Sequence, residues 1–312
     1  MSGPDQPADV AVVIPCYNEA LTIATVVRDF ARVLPHARIY VFDNNSTDGT
    51  AAVAAAAGAI VIHSPRQGKG NVLRHMAETV DADAYVLVDG DDTYPADAAP
   101  AMLQAFAGAH LDMLVGARLS AFESGSFRPY HHLGNQIIAA LVNLLYRARL
   151  SDVLSGYRVL SRRFVALVRL RRGGFEVETE YTLQALSKGL AVAELPVPYR
   201  SRPPGSHSKL STWNDGFRIL RCIVLLFKDY KPLVFFTTLS LLVGLASLGF
   251  GSVPIADYIA YRYVLHVPLA ILAAALGLLA VIFLTVGLVL DTIAHLHQET
   301  IDLWKHQLGT RR

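Results

Sequence analysis

Two carboxylates at alternate positions, Asp89 and Asp91, directly follow the apolar run at residues 85–88. A strand that ends in this way brings both carboxylates to one edge of a sheet, where they can hold a divalent cation against a diphosphate. Most Asp-x-Asp tripeptides are solvated turns. The pattern therefore has force only together with the other polar groups of the chain.

Further polar groups follow other predicted strands. Tyr17 comes after Pro15 and can stack on a base, although alone it would be an ordinary loop aromatic. Asp43 follows the apolar run 38–42 and can accept hydrogen bonds from a nucleobase or ribose; its alternative is a capped turn. Lys69, between two glycines at the start of a predicted helix, can bring a cation and backbone N–H groups to phosphates. The spacing is not that of a P-loop, and no GxGxxG motif is present.

Strand and helix signals alternate along the first part of the chain, which predicts an α/β fold with a mostly parallel sheet and helices on both faces. Ligands bind such sheets at the carboxyl ends of the strands, where these groups lie. Asn18 and either Ser46 or Thr47 are candidate helix caps. The predicted strands are 10–14, 38–42, 60–62, 85–88, 113–115 and 192–197, with a short one near residue 160. Helices are predicted at 71–80, 96–107, 135–146 and 179–188.

The distal part of the chain is apolar. Of 312 residues, 53% are hydrophobic and 17% charged, and the runs 233–251 and 267–290 contain no charge. Each is long enough to cross a bilayer; two buried helices of a soluble core are the alternative. Residues 213–230 are amphipathic and predict an interfacial helix, or else a surface helix of the globular domain. The predicted divisions are a catalytic domain 1–210, a juxtamembrane helix 211–231, a two-span hairpin 232–292 and a tail 293–312.

Charge around the hairpin predicts its orientation. Lys228 and Lys231 precede it and Lys305, Arg311 and Arg312 follow it, whereas the predicted loop 252–266 carries only Arg262 and Asp257. The positive-inside rule then places the catalytic domain and both termini in the cytoplasm of an inner-membrane protein. Residues 1–9 are polar, so no signal peptide is expected. The two cysteines predict no disulfide. Nothing resembles a nucleic-acid-binding module, and the net charge of +2 does not identify a partner.

A set of motifs in fixed order carries a family resemblance. They are VVIPCYNE, FDNNSTDGT, GKGNVLRHM, VLVDGDDTYP, VGAR and DVLSGYRVLSR. Together they resemble a family 2 glycosyltransferase of GT-A fold. The two terminal apolar segments make the chain similar to the dolichyl-phosphate mannose synthase-like, polyprenyl-phosphate group. The resemblance covers about residues 10–210 and the hairpin.

The resemblance implies roles for individual residues. Those matching nucleotide- and metal-binding motifs are Pro15, Tyr17 and Glu19, then Asp43 for the base, then Asp89 and Asp91 for Mg²⁺ or Mn²⁺ and the diphosphate. Arg118 matches a basic residue near the reacting phosphates, the stretch from Ser155 to Arg158 matches an acceptor-site segment, and Arg202 matches a loop closing over the donor. Two positions depart from the pattern. Thr93 stands where relatives often carry a metal-contacting Gln, and His131 and His132 stand where an arginine is common.

The resemblance further implies that a sugar moves from a UDP- or GDP-linked donor to a polyprenyl phosphate, with inversion. The acceptor oxygen is already anionic, so no strong base is needed. The arginines at 118, 158 and 202 are suited to offset the clustered phosphate charge. Glu176, Glu178 and Glu180 either orient sugar hydroxyls or favour a helix N-terminus. The alternatives are transfer to a neutral lipid hydroxyl, and a non-catalytic scaffold for a lipid-sugar flippase. The sugar, the nucleotide and the oligomeric state, a homo-oligomer included, stay open.

Overall fold

The structure, a computed structural model, describes residue 7 and residues 9–118, 129–170, 177–203, 224–225, 227–229 and 231–309. The side chains of residues 129–134, 297–298 and 301–309 lie outside this description. The chain divides into two compact units, Met1–Ile219 and Leu220–Arg312. The predicted juxtamembrane helix at 213–230 falls mostly outside the described residues.

The first unit is built on a seven-stranded sheet in the order β3-β2-β1-β4-β6-β5-β7. The strands are β1 Val10–Cys16, β2 Arg38–Asp43, β3 Ile60–His63, β4 Ala84–Leu87, β5 Met113–Ala117, β6 Arg158–Ser161 and β7 Val192–Pro196. Every described pairing is parallel except those of β6, which runs antiparallel to both β4 and β5. The predicted mostly parallel sheet is confirmed.

Helices cover both faces of the sheet, as predicted. They are α1 Ile23–Val33, α2 Thr50–Ala56, α3 Lys69–Thr79, α4 Ala99–Gly108, α5 Pro129–Tyr146, α6 Arg162–Leu167 and α7 Val177–Ser187. Alternate residues of β1 enter two separate cores. Val12 and Ile14 pack in one core with Phe30 of α1, whereas Val13 packs in the other with Met76 of α3. This period of two is what a strand buried on both faces requires.

Strand β6 explains why the arrangement departs from a simple parallel sheet. It enters between β4 and β5, and Arg158 lies in register with Leu87 on one side and Val115 on the other. The segment that precedes β6 must therefore pass the carboxyl end of β4, where Asp89 follows. This topology brings residues 155–158 beside the predicted cation-binding carboxylates.

The second unit is a helical hairpin of α8 Pro232–Tyr261 and α9 Val267–Gly309. Both helices contain a stretch long and apolar enough to cross a membrane, at Pro232–Tyr261 and Val267–Leu296. Small residues bring the helices together: Ser240 Oγ donates to Ala280 O at 2.7 Å, and Ser247 Oγ donates to Ala273 O at 2.7 Å. Such close contacts are typical of helix pairs in lipid.

The predicted connecting loop, 252–266, is wrong in length. Helix α8 continues past Pro254 to Tyr261, where Arg262 adopts a left-handed conformation with φ 54° and ends it. Asp257 then shortens the connection, because its Oδ2 accepts hydrogen bonds from the backbone N–H groups of Leu265 and His266, both at 3.1 Å. The turn proper is residues 262–266. The sequence alone indicates Asp257 only as a charge in the predicted loop, because its hydrogen bonds depend on the turn that follows.

Candidate active site

The loops that follow β1 and β2 are joined to each other by side chains. Asn18, with φ 52°, accepts from the backbone N–H of Thr47 at 2.8 Å, and its own N–H donates to Ser46 Oγ at 2.9 Å. The predicted capping roles of these three residues are wrong. Helix α1 begins at Ile23, and α2 begins at Thr50 after a left-handed Gly49. The polar side chains instead fix the segment carrying Pro15, Tyr17 and Glu19 against the segment that follows Asp43.

Asn44 extends this framework to the loop before α3. Its Nδ2 donates to Ser64 O and to Arg66 O, both at 2.8 Å, and its Oδ1 accepts from the N–H of Gly68 at 2.7 Å. The next residue is Lys69, the first residue of α3. Asn44 was expected only as part of the polar group that follows this strand, and no role was predicted for its own side chain. The sequence signal that could have indicated this role is an amide side chain directly after a predicted strand.

Asp43 ends β2 as a buried carboxylate that is not fully satisfied. It is 5% exposed. Its Oδ1 has no hydrogen-bond partner among the described residues, and its Oδ2 lies 3.7 Å from His63 Nδ1. A buried acceptor without a donor is costly. The atom is therefore suited to a ligand N–H or O–H. Tyr17, in the adjoining loop, has 39% of its surface exposed and is accessible for stacking.

The two carboxylates after β4 each contact a cationic side chain. Asp89 Oδ1 accepts from Lys69 Nζ, and Asp91 Oδ2 lies 2.6 Å from Arg202 Nη2. The Thr93 hydroxyl donates to Asp91 Oδ1 at 2.6 Å, so Thr93 orients this carboxylate. Lys69 Nζ also lies 2.6 Å from Glu178 Oε1 in the first turn of α7. We call Lys69, Asp89, Asp91, Glu178 and Arg202 the carboxylate cluster.

Charge balance in this cluster keeps Lys69 protonated. Burial lowers the pKa of Lys69, but the carboxylates of Asp89 and Glu178 raise it by more, so it lies above its ordinary value. The described residues contain no group of three or more His, Cys, Asp or Glu side chains that could hold a metal ion alone. Two carboxylates nevertheless fit Mg²⁺ or Mn²⁺, because Mg²⁺ is commonly bound by one or two carboxylates together with substrate phosphates.

Arg118 is held in a bidentate ion pair with a residue that the sequence did not single out. Its Nε donates to Asp152 Oδ2 at 2.7 Å, and its Nη2 donates to Asp152 Oδ1 at 2.9 Å. The guanidinium also lies over the ring of Tyr199, 5.5 Å from its centroid. Burial raises the pKa of Asp152, but the hydrogen bonds and charge of Arg118 lower it by more, so it stays below its ordinary value. We call Arg118, Asp152, Ser155 and Arg158 the arginine cluster.

Arg158 does not have the accessible position that its predicted role in phosphate contact requires. It is fully buried. Its Nε donates to Ser155 O at 2.9 Å, its Nη2 to Val153 O at 2.8 Å and its Nη1 to Thr182 Oγ1 at 3.0 Å. Its register at the centre of the sheet explains the burial. The prediction that it binds phosphate directly is corrected: Arg158 shapes the loop before β6.

That loop contacts the carboxylate cluster through a glycine. A Cβ atom added to Gly156 would lie 2.3 Å from Asp89 Oδ2, so a side chain at this position would displace the carboxylate. The loop is held by Ser155 Oγ, which donates to Gly116 O at 2.6 Å, and by the Gly156 N–H, which donates to the Tyr94 hydroxyl at 3.0 Å. Ser155, predicted to line an acceptor site, is fully buried. Gly156 thus fits the loop closely against Asp89.

Some predicted positions lie outside the described residues: the side chain of His131 in α5, Glu176, and residues 205–209, which the resemblance assigns with Arg202 to the loop closing over the donor.

A family model described as glycosyl transferase family 2 matches residues 11–167 of this chain. The glycosyltransferase AglJ of Haloferax volcanii is 33% identical over 298 residues, which cover 94% of this chain and 96% of the relative. The chain is a family 2 glycosyltransferase. The match spans β1 to α6 and therefore includes both clusters, except for Glu178 and Arg202.

Two further likenesses bear on this glycosyltransferase. A dolichyl-phosphate hexose transferase of Haloferax volcanii is 29% identical over 216 residues, covering 69% of this chain and 92% of that protein. Glucosyl-3-phosphoglycerate synthase of Mycobacterium tuberculosis, solved with Mn²⁺ and UDP-glucose, superposes with a TM-score of 0.56 at 22% identity, covering 70% of this chain and 78% of that one. The structural likeness is one of fold, and it agrees with the predicted GT-A sheet.

Proposed function

We propose that this glycosyltransferase moves a monosaccharide from a UDP- or GDP-linked sugar to a polyprenyl phosphate at the cytoplasmic face of the inner membrane, with inversion at the anomeric carbon. The observation that carries the proposal is that one chain holds both an Asp89–Asp91 pair after β4 and two helices long enough to cross a bilayer. An enzyme fixed to a membrane in this way is suited to a lipid acceptor. The likeness to a dolichyl-phosphate hexose transferase supports the same acceptor class.

On the donor side, Asp43 offers an unpaired buried oxygen to the nucleoside, and Tyr17 offers an accessible ring for stacking. Pro15 and Glu19 belong to the same joined loops. Asp89 and Asp91 would hold Mg²⁺ or Mn²⁺, which would offset the charge of the leaving diphosphate. Lys69 and Arg202 already contact these carboxylates and lie where phosphate oxygens would bind. A guanidinium and an ammonium both favour such an anion.

On the acceptor side, the lipid phosphate oxygen is anionic near neutral pH and needs no strong base. The task of the protein is to align that oxygen behind the anomeric carbon and to balance the negative charge. Arg118 is suited to this because Asp152 fixes its guanidinium and 13% of its side chain is exposed. Arg158 supports the neighbouring loop from within. His131 stays a proposed acceptor contact.

The basic flanks of the hairpin support an orientation with both termini in the cytoplasm. The turn at residues 262–266 would then face the opposite side of the membrane. A reactive cysteine placed at Arg262 in a variant lacking Cys16 and Cys222 should be labelled by an impermeant reagent in intact cells. A cysteine placed at Asp5 should be labelled only after lysis. Labelling of both positions from the same side would contradict a two-span hairpin.

The chemistry is tested by incubating the purified protein in detergent with UDP-glucose, UDP-N-acetylglucosamine, UDP-galactose or GDP-mannose and undecaprenyl phosphate. The lipid product is identified by mass. We expect one donor to give a glycosyl phospholipid in a reaction that requires a divalent cation. A product formed only with diacylglycerol, ceramide or a sterol would favour the neutral-lipid alternative. The absence of any product with nucleotide sugars would favour the scaffold alternative.

A further inference from the structure

Glu178 is a buried carboxylate that the function proposed above does not use. It lies in the first turn of α7 and is 7% exposed. Its Oε1 lies 2.6 Å from Lys69 Nζ, but among the described residues no hydrogen bond reaches its second oxygen, Oε2. Oε2 is not one of the fully buried oxygens that lack a partner. It therefore keeps access to solvent and can accept a hydrogen bond from a ligand.

The position of Glu178 relative to Asp89 indicates which part of the donor can reach this oxygen. The two carboxylates share one ammonium, that of Lys69, so they lie within about two hydrogen-bond lengths of each other. Asp89 belongs to the pair proposed to hold the donor diphosphate. In a nucleotide sugar the hexose is bonded directly to that diphosphate. A carboxylate one ammonium away from the diphosphate site is therefore within reach of the hexose ring.

The surroundings hold Glu178 rigidly. The Thr182 hydroxyl donates to Glu178 O at 3.0 Å and accepts from Arg158 Nη1 at 3.0 Å, so the buried arginine is tied to the turn that carries Glu178. On the other side, Lys69 is tied to the framework through Asp89. The backbone of Glu178 is thus anchored by Thr182 and its Oε1 by Lys69. A side chain held in this way loses little conformational freedom on binding a ligand, which favours discrimination between similar hydroxyl arrangements.

We propose that Glu178 is a specificity-determining residue for the donor sugar: Oε2 accepts a hydrogen bond from one hexose hydroxyl, while Oε1 holds Lys69 and through it Asp89. The inference rests on the proposed donor class, a nucleotide-diphosphate sugar. It assigns to Glu178 a contact with the sugar and not with the nucleotide. Removing it should therefore affect sugar recognition selectively.

The test compares the binding of sugar and bare nucleotide in the detergent-solubilised full chain. Affinities are measured by calorimetry for UDP-glucose, UDP-galactose, UDP-N-acetylglucosamine and GDP-mannose, and for UDP and GDP. We expect Glu178→Gln to lower the affinity for the nucleotide sugar that the wild type binds most tightly by about tenfold to a hundredfold. This is the range for the loss of a hydrogen bond to a charged group. The affinity for the matching bare nucleotide should stay unchanged. One monodeoxy analogue of that sugar should bind the wild type and Glu178→Gln equally.

Glu180→Gln is the matched control. Glu180 is a second buried acid of the same turn, 3% exposed, and its Oε1 accepts from Gln184 Nε2 at 3.0 Å. It should leave both affinities unchanged. If Glu178→Gln does not fold, Glu178→Asp keeps the charge but withdraws the oxygen, and the same selective loss is expected.

Three results would overturn the proposal. An equal loss of sugar and bare-nucleotide affinity would mean that Glu178 acts only through Lys69 and Asp89, and an unchanged affinity for both would make the ion pair structural. A wild type that binds no sugar more tightly than the bare nucleotide would also overturn it. None of these measurements uses a lipid, so a failure of the proposed acceptor would be seen separately.

Discussion

The carboxylate cluster and the arginine cluster both pair opposite charges, but they expose them to very different degrees. In the carboxylate cluster the cationic side chains are accessible, with 21% of Lys69 and 31% of Arg202 exposed. In the arginine cluster Asp152 and Arg158 are fully buried. An accessible pair can exchange one partner for a ligand, whereas a buried pair cannot open without exposing an uncompensated charge. We therefore expect substitutions in the carboxylate cluster to reduce catalysis and substitutions of the fully buried Asp152 and Arg158 to reduce stability. Arg118, with 13% of its side chain exposed, keeps its proposed contact with the acceptor phosphate.

Asp91→Asn should give the largest effect on catalysis. It removes a charged oxygen ligand where the charge of the leaving group develops, so we expect turnover to fall by about a hundredfold to a thousandfold. The fold should be retained, as measured by thermal unfolding in detergent. Asp92→Asn is the matched control, because Asp92 has φ 59°, a conformation that asparagine adopts readily. Full activity of the Asp91 variant, or of the wild type in excess chelator, would contradict the assignment.

Arg158→Met should give the largest effect on stability. Met keeps much of the volume but leaves Ser155 O, Val153 O and Thr182 Oγ1 without their donor. We expect a loss of about 3–5 kcal/mol in the free energy of unfolding, as for other broken buried charge networks. Denaturation followed by near-ultraviolet circular dichroism measures it. Arg158→Lys should recover only part, because an ammonium cannot reach three partners in a plane. A variant of normal stability that had lost only the use of lipid phosphate would restore the original prediction.

Asp89 and Arg158 show which features could be predicted from the sequence and which could not. It predicted the strand that ends at Asp89 and the helices on both faces, because apolar runs and their polar ends are local signals. It did not predict the antiparallel entry of β6, which depends on pairing with strands distant in sequence. Without knowledge of this pairing, Arg158 is expected to be an accessible arginine of the acceptor-site motif. Its actual partners include two backbone carbonyls. Contacts with backbone atoms cannot be predicted from residue types.

The same limit applies to Arg118 and Glu178. Asp152 is separated from Arg118 by 34 positions, and only the fold brings the two together. The sequence left the role of Glu178 open between helix stabilisation and sugar contact. The fold adds that Lys69 joins it to Asp89. In each case the sequence indicated the residue as a candidate but not the contact that it makes in the fold.

Asp43→Ala tests a carboxylate that lies outside both clusters. Since Asp43 Oδ1 has no partner among the described residues, its removal should leave the midpoint of thermal unfolding unchanged or raise it. Donor affinity should fall by about tenfold to a hundredfold, the range for a lost hydrogen bond to a charged group. The measurement is nucleotide binding by calorimetry. A large drop in stability with donor affinity intact would mean that Asp43 is a structural residue.

The smallest effect should appear in the acid stability of the arginine cluster. The pKa of Asp152 is held below the ordinary 3.8 of an aspartate, because Arg118 outweighs the effect of burial. An unfolded chain therefore takes up this proton before the folded one does as the pH falls. The stabilisation is fully present above about pH 4 and is lost as the pH falls through the folded pKa. The difference in unfolding free energy between the wild type and Asp152→Asn should consequently narrow as the pH falls below about 4.

Asp48 provides the contrast in the loop after β2. Burial raises its pKa, but the hydrogen bonds from Thr50 and from the Ala20 N–H together lower it by more, so its pKa is also below the ordinary value. Asp48 is exposed, however, and solvent screens its contribution. Asp48→Asn should therefore change the free energy of unfolding at acidic pH less than Asp152→Asn does. If the two substitutions had equal effects, burial would not be what distinguishes the arginine cluster, and the division between a catalytic and a structural set of charges would lose its physical basis.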